Sequence, residues 1–288
     1  MGSSWMLLAG ASFALMGVWV KLAAQWFSSV ELVFYRSAFG LLVVLGMLIL
    51  RRGPRAMTRV FGPHLKLHLR RGLVGFVALA TFFYSLTMLP VSVAITLNYT
   101  SPLFLTLLMP LWLREAIRPA QYAAVALGFA GVVLLLRPWE AQGDLMAGLI
   151  GLFSGLMAGV AYVHVRALGQ LQEPEWRTVF WFAAVSCVGG ALFASVQGWH
   201  ADILPHLHLL LVLGLTATVG QLAMTRAYRR GQTAVVAAFS YSTVIFSSLL
   251  DVIIWKEDIA ATAWSGMAIT VVAGVWAATL NIRTEKTA

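Results

Sequence analysis

The sequence predicts an all-α integral membrane protein of ten transmembrane helices, arranged as two inverted five-helix repeats. Of its 288 residues, 60% are hydrophobic and only 11% are charged, whereas a soluble domain carries roughly 25% charged residues. Apolar runs of about twenty residues recur along the chain, and each can cross about 30 Å of hydrocarbon as a helix. An internal repeat and a charge asymmetry between the connections complete the prediction.

The apolar runs define where the ten helices are expected. The predicted spans are about 4–24, 31–50, 72–89, 91–113, 118–136, 145–166, 176–197, 207–228, 233–254 and 259–280. Backbone polar groups in lipid must be satisfied within the span, so these runs are expected to be helical. The connections between them are short, and function is therefore expected to lie in the membrane part.

An internal repeat appears when the chain is shifted by 142 residues, which places Tyr99 on Tyr241. The same shift places residues 63–67 (PHLKL) on residues 205–209 (PHLHL). Each half holds five spans, an odd number, so the second half is expected to enter the membrane from the opposite side, as in many secondary transporters. The two predicted domains are residues 1–140 and 141–288.

The distribution of basic residues predicts the orientation. With the N-terminus in the cytoplasm, only Arg137 and Lys256 fall in outside connections, while the 51–71 segment carries seven basic residues and no acid. The positive-inside rule therefore places both termini in the cytoplasm. The net charge of +9 is interpreted as a topology signal, and nucleic acid is not expected as a partner.

Polar side chains near the middle of the spans suggest a substrate site. Residues 98–102 (NYTSP) and 240–243 (SYST) occupy matching places in the fourth and ninth spans, and Pro102 should free a backbone carbonyl near Asn98. The third and eighth spans add polar stripes at helical spacing. The candidate substrate-binding residues are Tyr84, Asn98, Tyr99, His164, Gln221, Thr225, Ser240 and Tyr241.

Each of these patterns also has a structural interpretation. Small polar side chains often hydrogen-bond between membrane helices without touching a substrate. A lone histidine such as His164 is commonly a structural residue, although it would be the first suspect for proton coupling. The glycines of the sixth span (Gly151, Gly155 and Gly159) indicate close helix packing.

Charges within the spans are few and lie off centre. Apart from arginines at the very ends of spans, Lys21, Arg36 and Arg226 are the basic residues that fall inside predicted spans, and none is at the middle. The spans contain no chain of mid-membrane carboxylates, so the sequence does not predict a proton or sodium relay. The candidate lining therefore consists of hydroxyls, amides and rings, which predicts a net-neutral substrate, most plausibly a zwitterionic amino acid.

No enzyme motif is present. The chain lacks His-Glu-x-x-His, Gly-x-Ser-x-Gly and a phosphate-binding loop. Cys187 is its only cysteine, which excludes an intramolecular disulfide and a cysteine-based metal site. No catalytic residue, metal or cofactor is expected.

The chain resembles the EamA-type permeases of the drug/metabolite transporter superfamily. The resemblance rests on the two five-helix repeats, the Arg36 position, the turn at 227–231 (AYRRG), and Glu115 with Glu257 closing the fourth and ninth spans. It implies export of amino acids and other small metabolites, and one branch exports aromatic amino acids. Val244 departs from the proline often found at its position in this family.

The sequence thus predicts a secondary transporter in a bacterial inner membrane. It is expected to export small neutral metabolites, above all aromatic or apolar amino acids, by alternating access around a central cavity. Two alternatives stay open: a non-transporting receptor or assembly factor, and a transporter of an anion such as a sugar phosphate or nucleotide sugar. The expected partners are a small-molecule substrate and the lipid bilayer, and the sequence does not indicate the oligomeric state.

Overall fold

A computed structural model describes residues 4–52, 60–112, 119–136, 145–199, 202–230, 239–256 and 258–285. The regular elements of these residues are all helical. The α-helices are α1 (Trp5–Ala23), α2 (Ser29–Arg52), α3 (Leu65–Met88), α4 (Val91–Asn98), α5 (Ser101–Trp112), α6 (Pro119–Leu136), α7 (Leu145–Gln170), α8 (Glu175–Gln197), α9 (Leu207–Arg230), α10 (Ser242–Leu250) and α11 (Ala261–Glu285). A 3₁₀ turn (Leu204–His206) precedes α9, and a π-helix (Asp251–Trp255) follows α10.

The membrane class is confirmed. Among the described residues, seven helices are long and apolar enough to cross a membrane: α1, α2, α3, α6, α7, α8 and α9. Shorter apolar stretches at Val91–Leu105, Ser242–Trp255 and Ala261–Trp276 lie at the places of the other three predicted spans. The count of ten and the inverted repeat stay predictions, and the predicted domain boundary after residue 140 lies outside the described residues.

The bundle is held together by pairs of helices from the two halves of the chain. The most extensive packing joins α6 with α11, α3 with α7, α1 with α9, and α2 with α8. A core that includes Phe83, Leu86, Leu97 and Leu213 fills the space between these pairs. Because each pair takes one helix from either side of residue 140, the centre of the bundle lies between the two halves.

Small residues allow the closest of these approaches. A side chain at Gly131 of α6 would lie 2.8 Å from the carbonyl oxygen of Gly266 in α11. In α7, a side chain at Gly155 would lie 2.6 Å from the carbonyl oxygen of Leu97, and one at Gly159 would lie 3.0 Å from that of Ser101. The packing interpretation of the α7 glycines is therefore confirmed.

The fourth predicted span is interrupted rather than continuous. Helix α4 ends at Asn98, and α5 begins at Ser101. Pro102 is the second residue of α5, where its missing N–H does no harm, whereas within a continuous helix its ring would clash with the carbonyl group of Asn98. Non-helical backbone thus lies at Tyr99 and Thr100, just before Pro102, and Gly155 of α7 packs against it.

The N-terminus of α4 is capped by a residue from the other half of the chain. The fully buried carboxylate of Asp251 accepts hydrogen bonds from the backbone N–H groups of Val91 (3.1 Å) and Ser92 (2.6 Å). A helix N-terminus carries unsatisfied N–H groups and a partial positive charge, so an acidic side chain stabilises it. Asp251 therefore has a structural partner in this conformation.

Helix α3 begins earlier than the sequence predicted. The expected start at residue 72 left Arg70 and Arg71 in a connection, but α3 begins at Leu65 and includes both. His68 of this first part of α3 is buried and lies 3.3 Å from Glu173, which also pairs with Arg177. Burial acts to raise the pKa of Glu173, but hydrogen bonds from Arg177 and His68 outweigh burial and lower it. These contacts hold the first turns of α3, so Arg71 lies within the helix and not in a connection.

Candidate functional site

A cavity of about 180 Å³ lies at the centre of the bundle. One water molecule takes up roughly 30 Å³ of the liquid, so the cavity has room for a small solute or several waters. Residues from both halves of the chain line it. Its polar lining residues are Arg36, Arg71, Asn98, Tyr99, Ser101, Tyr162, Gln221, Ser240 and Thr243.

One side of the cavity is backed by a tyrosine wall, in which Tyr99 and Thr243 line the cavity and the buried Tyr241 lies behind them. The Tyr99 hydroxyl lies 3.0 Å from the Thr243 hydroxyl, and the Tyr241 hydroxyl donates to the carbonyl oxygen of Tyr99 at 3.2 Å. The second bond satisfies a carbonyl at the break between α4 and α5, where the helix offers no partner. Tyr99 and Tyr241 are 142 residues apart, the offset of the predicted repeat, so matching positions of the two halves meet here.

Asn98, the last residue of α4, is held by α7. Its amide nitrogen donates to the Ser154 hydroxyl at 3.0 Å, and that hydroxyl donates in turn to the carbonyl oxygen of Gly151 at 2.6 Å. Gly155, one residue beyond Ser154, leaves room for the break. Asn98 therefore faces the cavity with its side chain already oriented, which suits a group that binds a solute.

A second side of the cavity is an arginine wall, formed by Arg36 of α2, Arg71 of α3 and Phe182 of α8. The guanidinium carbons lie 5.5 Å (Arg36) and 4.2 Å (Arg71) from the centre of the Phe182 ring. Gly75, one turn after Arg71, makes the room, because a side chain there would collide with the Arg71 guanidinium and lie 3.0 Å from the Phe182 ring. Two positive charges thus share one aromatic ring.

Three buried nitrogens of the arginine wall lack partners among the described protein atoms. Arg36 is only 9% exposed, and its Nε has no hydrogen-bond partner among the protein atoms that the structure describes. The same holds for Nε and Nη1 of Arg71. No Asp or Glu occurs among the described residues that line the cavity, and a guanidinium does not lose its proton in a protein. The prediction of a lining without fixed charge is therefore wrong.

The structure gathers part of the predicted set. Asn98, Tyr99, Gln221 and Ser240 line the cavity, and Tyr241, 2% exposed, contacts Tyr99 behind it. Their role in binding stays a prediction.

The other predicted residues lie elsewhere. Tyr84 is 37% exposed, and neither it nor His164 is among the residues that line this cavity. His164 instead places Nδ1 2.9 Å from the carbonyl oxygen of Val160 in its own helix. The side chain of Thr225 lies outside the described residues, as do Arg137, Glu115 and Glu257.

Sequence reasoning missed Arg71, Tyr162 and Phe182. A signal for Arg71 was present, because residues 71, 75, 78 and 82 follow helical spacing and all line the cavity. The short run around Arg70 and Arg71 was interpreted as a connection because of its charge. For Phe182, the sequence offers no signal that separates it from the other aromatic residues of α8.

Comparison with known proteins gives one family. The model of the EamA-like transporter family matches residues 1–137 and again residues 145–279. A solved crystal structure has a similar fold, with a TM-score of 0.63, 20% identity, and coverage of 97% of this chain and 98% of that one.

Relatives with functional names match along nearly their whole length. The pseudopaline exporter CntI of Pseudomonas aeruginosa is 30% identical over 271 residues, covering 93% of this chain and 92% of its own. A riboflavin transporter of Rhizobium johnstonii is 30% identical over 288 residues, covering 99% and 93%. An S-adenosylmethionine uptake transporter of Rickettsia bellii is 23% identical, covering 89% and 86%.

Proposed function

The chain belongs to the EamA-like transporter family, whose members are transporters and not enzymes. From this premise we propose that it exports small metabolites of the amino-acid class from the cytoplasm. Export follows alternating access, in which the two halves of the chain open the central cavity to one side of the membrane and then to the other. The protein acts in a bacterial inner membrane with both termini in the cytoplasm.

The observation that carries this proposal is the central cavity itself. It is lined by helices from both halves of the chain and combines amide and hydroxyl groups (Asn98, Gln221, Tyr162) with aromatic surface. A cavity that only separated packed helices would have no reason to hold oriented polar groups, because burying them is unfavourable. An amino acid presents a carboxylate, an ammonium group and a side chain, for which these groups supply donors, acceptors and rings.

The amino-acid class and the direction have separate support. The name of the Pseudomonas aeruginosa relative supports export. Relatives named for pseudopaline, riboflavin and S-adenosylmethionine support a small organic solute and do not single out amino acids. The amino-acid class is supported by the size and mixed polarity of the cavity.

The test of transport is flux in proteoliposomes that contain the purified protein. Vesicles are loaded with a panel of labelled amino acids, and efflux is compared with empty liposomes. We expect efflux of at least one solute, with Tyr99→Ala and Tyr241→Ala each slowing it because the tyrosine wall supports the cavity. Tyr122→Ala, at a tyrosine that is 54% exposed on α6, is the matched control and should transport normally.

A protein that binds these solutes but moves none of them would contradict the transporter proposal. Efflux that both tyrosine variants leave at the wild-type rate would place the route elsewhere in the bundle.

The orientation has its own test, in intact cells and a Cys187→Ser background. Lys66 lies at the start of α3, and Asp202 lies between α8 and α9; both are exposed. We expect Asp202→Cys to react with an impermeant thiol reagent and Lys66→Cys to react only after the cells are opened. Labelling of Lys66→Cys in intact cells would reverse the proposed orientation.

A further inference from the structure

We propose that the arginine wall is an anion subsite, which binds a carboxylate or phosphate group of the transported solute, and that this solute carries net negative charge. The inference rests on the proposed function, which it sharpens by giving the solute a charge. It replaces the net-neutral substrate that the sequence predicts.

The first argument is charge balance. Arg36 and Arg71 bring two permanent positive charges to one cavity, and the described lining contains no carboxylate to balance them. Burying an unpaired charge is strongly unfavourable, and the structure needs a counter-charge to offset that penalty. The two guanidinium groups also repel each other, since both lie against the ring of Phe182. An anionic solute removes both penalties when it enters.

The second argument is the unused hydrogen-bonding capacity. Nε of Arg36 and both Nε and Nη1 of Arg71 are buried donors without a protein acceptor. The Phe182 ring attracts the two cations, but cation–π attraction offsets only part of the penalty of burial. The forked donors of arginine match the oxygens of carboxylate and phosphate groups, so an oxyanion satisfies the buried nitrogens better than a neutral amide.

The third argument is the built position of Arg71. Gly75 leaves the space that its guanidinium occupies against Phe182, and Tyr162 lines the same cavity. The side chain is therefore held beside the cavity rather than extended toward solvent. Asn98 and Gln221 line the same cavity, so a solute whose acidic group binds at the arginine wall can place its other polar groups against these amides.

The test uses pairs of solutes that share a shape and differ in charge. Glutamate is compared with glutamine, and O-phosphoserine with serine, at constant ionic strength, by the thermal unfolding of the purified protein in detergent. We expect at least one anion to raise the unfolding temperature while its neutral partner does not. The first pair reports on a carboxylate and the second on a phosphate, so the pair that responds identifies the group.

Three variants assign the effect to the arginine wall. Arg36→Gln and Arg71→Gln should each weaken the binding of the responding anion by about 10- to 100-fold, because each removes a charged hydrogen-bonding partner. Gly75→Ala keeps both charges but displaces the Arg71 guanidinium, and should also weaken anion binding. It provides the test if either glutamine variant fails to fold. The matched control is Arg70→Gln, which removes the same charge from the exposed neighbouring residue and should leave binding unchanged.

The inference is overturned if neutral and anionic partners stabilise the protein equally, if no anion stabilises it, or if binding survives in the arginine variants and in Gly75→Ala. Efflux from proteoliposomes separates this failure from that of the proposed function. Neutral solutes that move equally well through wild type and Arg71→Gln would leave the transporter proposal intact and remove the anion subsite. Anion-specific binding without any efflux would support the anion subsite and contradict the transporter proposal.

Discussion

The tyrosine wall and the arginine wall lie on two sides of the same cavity, but they differ in how far their polar groups are satisfied. The hydroxyls of Tyr99 and Tyr241 each have a partner within the protein, at 3.0 and 3.2 Å. Nε of Arg36 and Nε and Nη1 of Arg71 are buried and have none among the described atoms. A satisfied buried group contributes to the stability of the fold, whereas an unsatisfied one is unfavourable until something binds to it.

The two walls also differ in their relation to the predicted repeat. Tyr99 and Tyr241 occupy matching positions of the two halves, so the tyrosine wall is a meeting point of both. The positions that match Arg36 and Arg71 are Thr178 and Leu213, and neither is basic. The tyrosine wall therefore joins matching positions of both halves, while both positive charges of the arginine wall come from the first half.

The largest expected effect comes from crowding the helix break behind the tyrosine wall. A side chain at Gly155 would collide with the Thr100 hydroxyl and lie 2.6 Å from the carbonyl oxygen of Leu97. Overpacking of this kind is typically unfavourable by about 1–3 kcal/mol, and we expect Gly155→Ala to lower the free energy of unfolding by an amount in that range. Unfolding by denaturant in detergent measures it.

Gly169, near the end of the same helix, is the matched control. Nothing lies within 4 Å of where its side chain would be, and alanine favours a helix more than glycine does. Gly169→Ala should therefore leave stability equal or slightly higher. Equal losses in the two variants would mean that the break does not need the close approach of α7.

An effect of the opposite sign is expected at the arginine wall. Arg71→Met replaces an unpaired charge with an apolar side chain of similar length, and we expect the ligand-free protein to become more stable by on the order of 1–3 kcal/mol. Transport of an anionic solute should fall in the same variant. If Arg71→Met destabilised the ligand-free protein, the arginine would be part of the packing, and the contrast between the walls would disappear.

The smallest effect is expected from the loss of one hydroxyl of the tyrosine wall. Tyr241→Phe keeps the ring but leaves the carbonyl oxygen of Tyr99 without its donor, which should lower the free energy of unfolding by about 1 kcal/mol. Tyr122→Phe, at an exposed tyrosine of α6, should have no measurable effect. Wild-type stability in Tyr241→Phe would show that this carbonyl has another donor, and the tyrosine wall would then be less different from the arginine wall.

Several particulars of the site could be predicted from sequence, and the reasons are local. The cluster at residues 98–102 combines polar side chains with a proline inside an apolar run, which predicts both a disturbed helix and a reason to face the interior. The similarity of residues 240–243 to that cluster pointed to the second tyrosine. The exposed position of Tyr84 could not be anticipated, because helical spacing defines a face but does not say which neighbour covers it.

What the sequence by itself determined is the class of the protein. Long apolar runs require helices in a membrane whatever their arrangement, because hydrocarbon offers no partner for backbone polar groups. Only the tertiary structure decided the charge of the cavity. Contacts of His68 with Glu173 lie in the first turns of α3, and the space beside Gly75 admits a guanidinium against Phe182. A run of arginines carries the same hydropathy in a connection as at a helix start, so the packing of α3 on α7 and α8 was needed to bring Arg71 into the cavity beside Arg36.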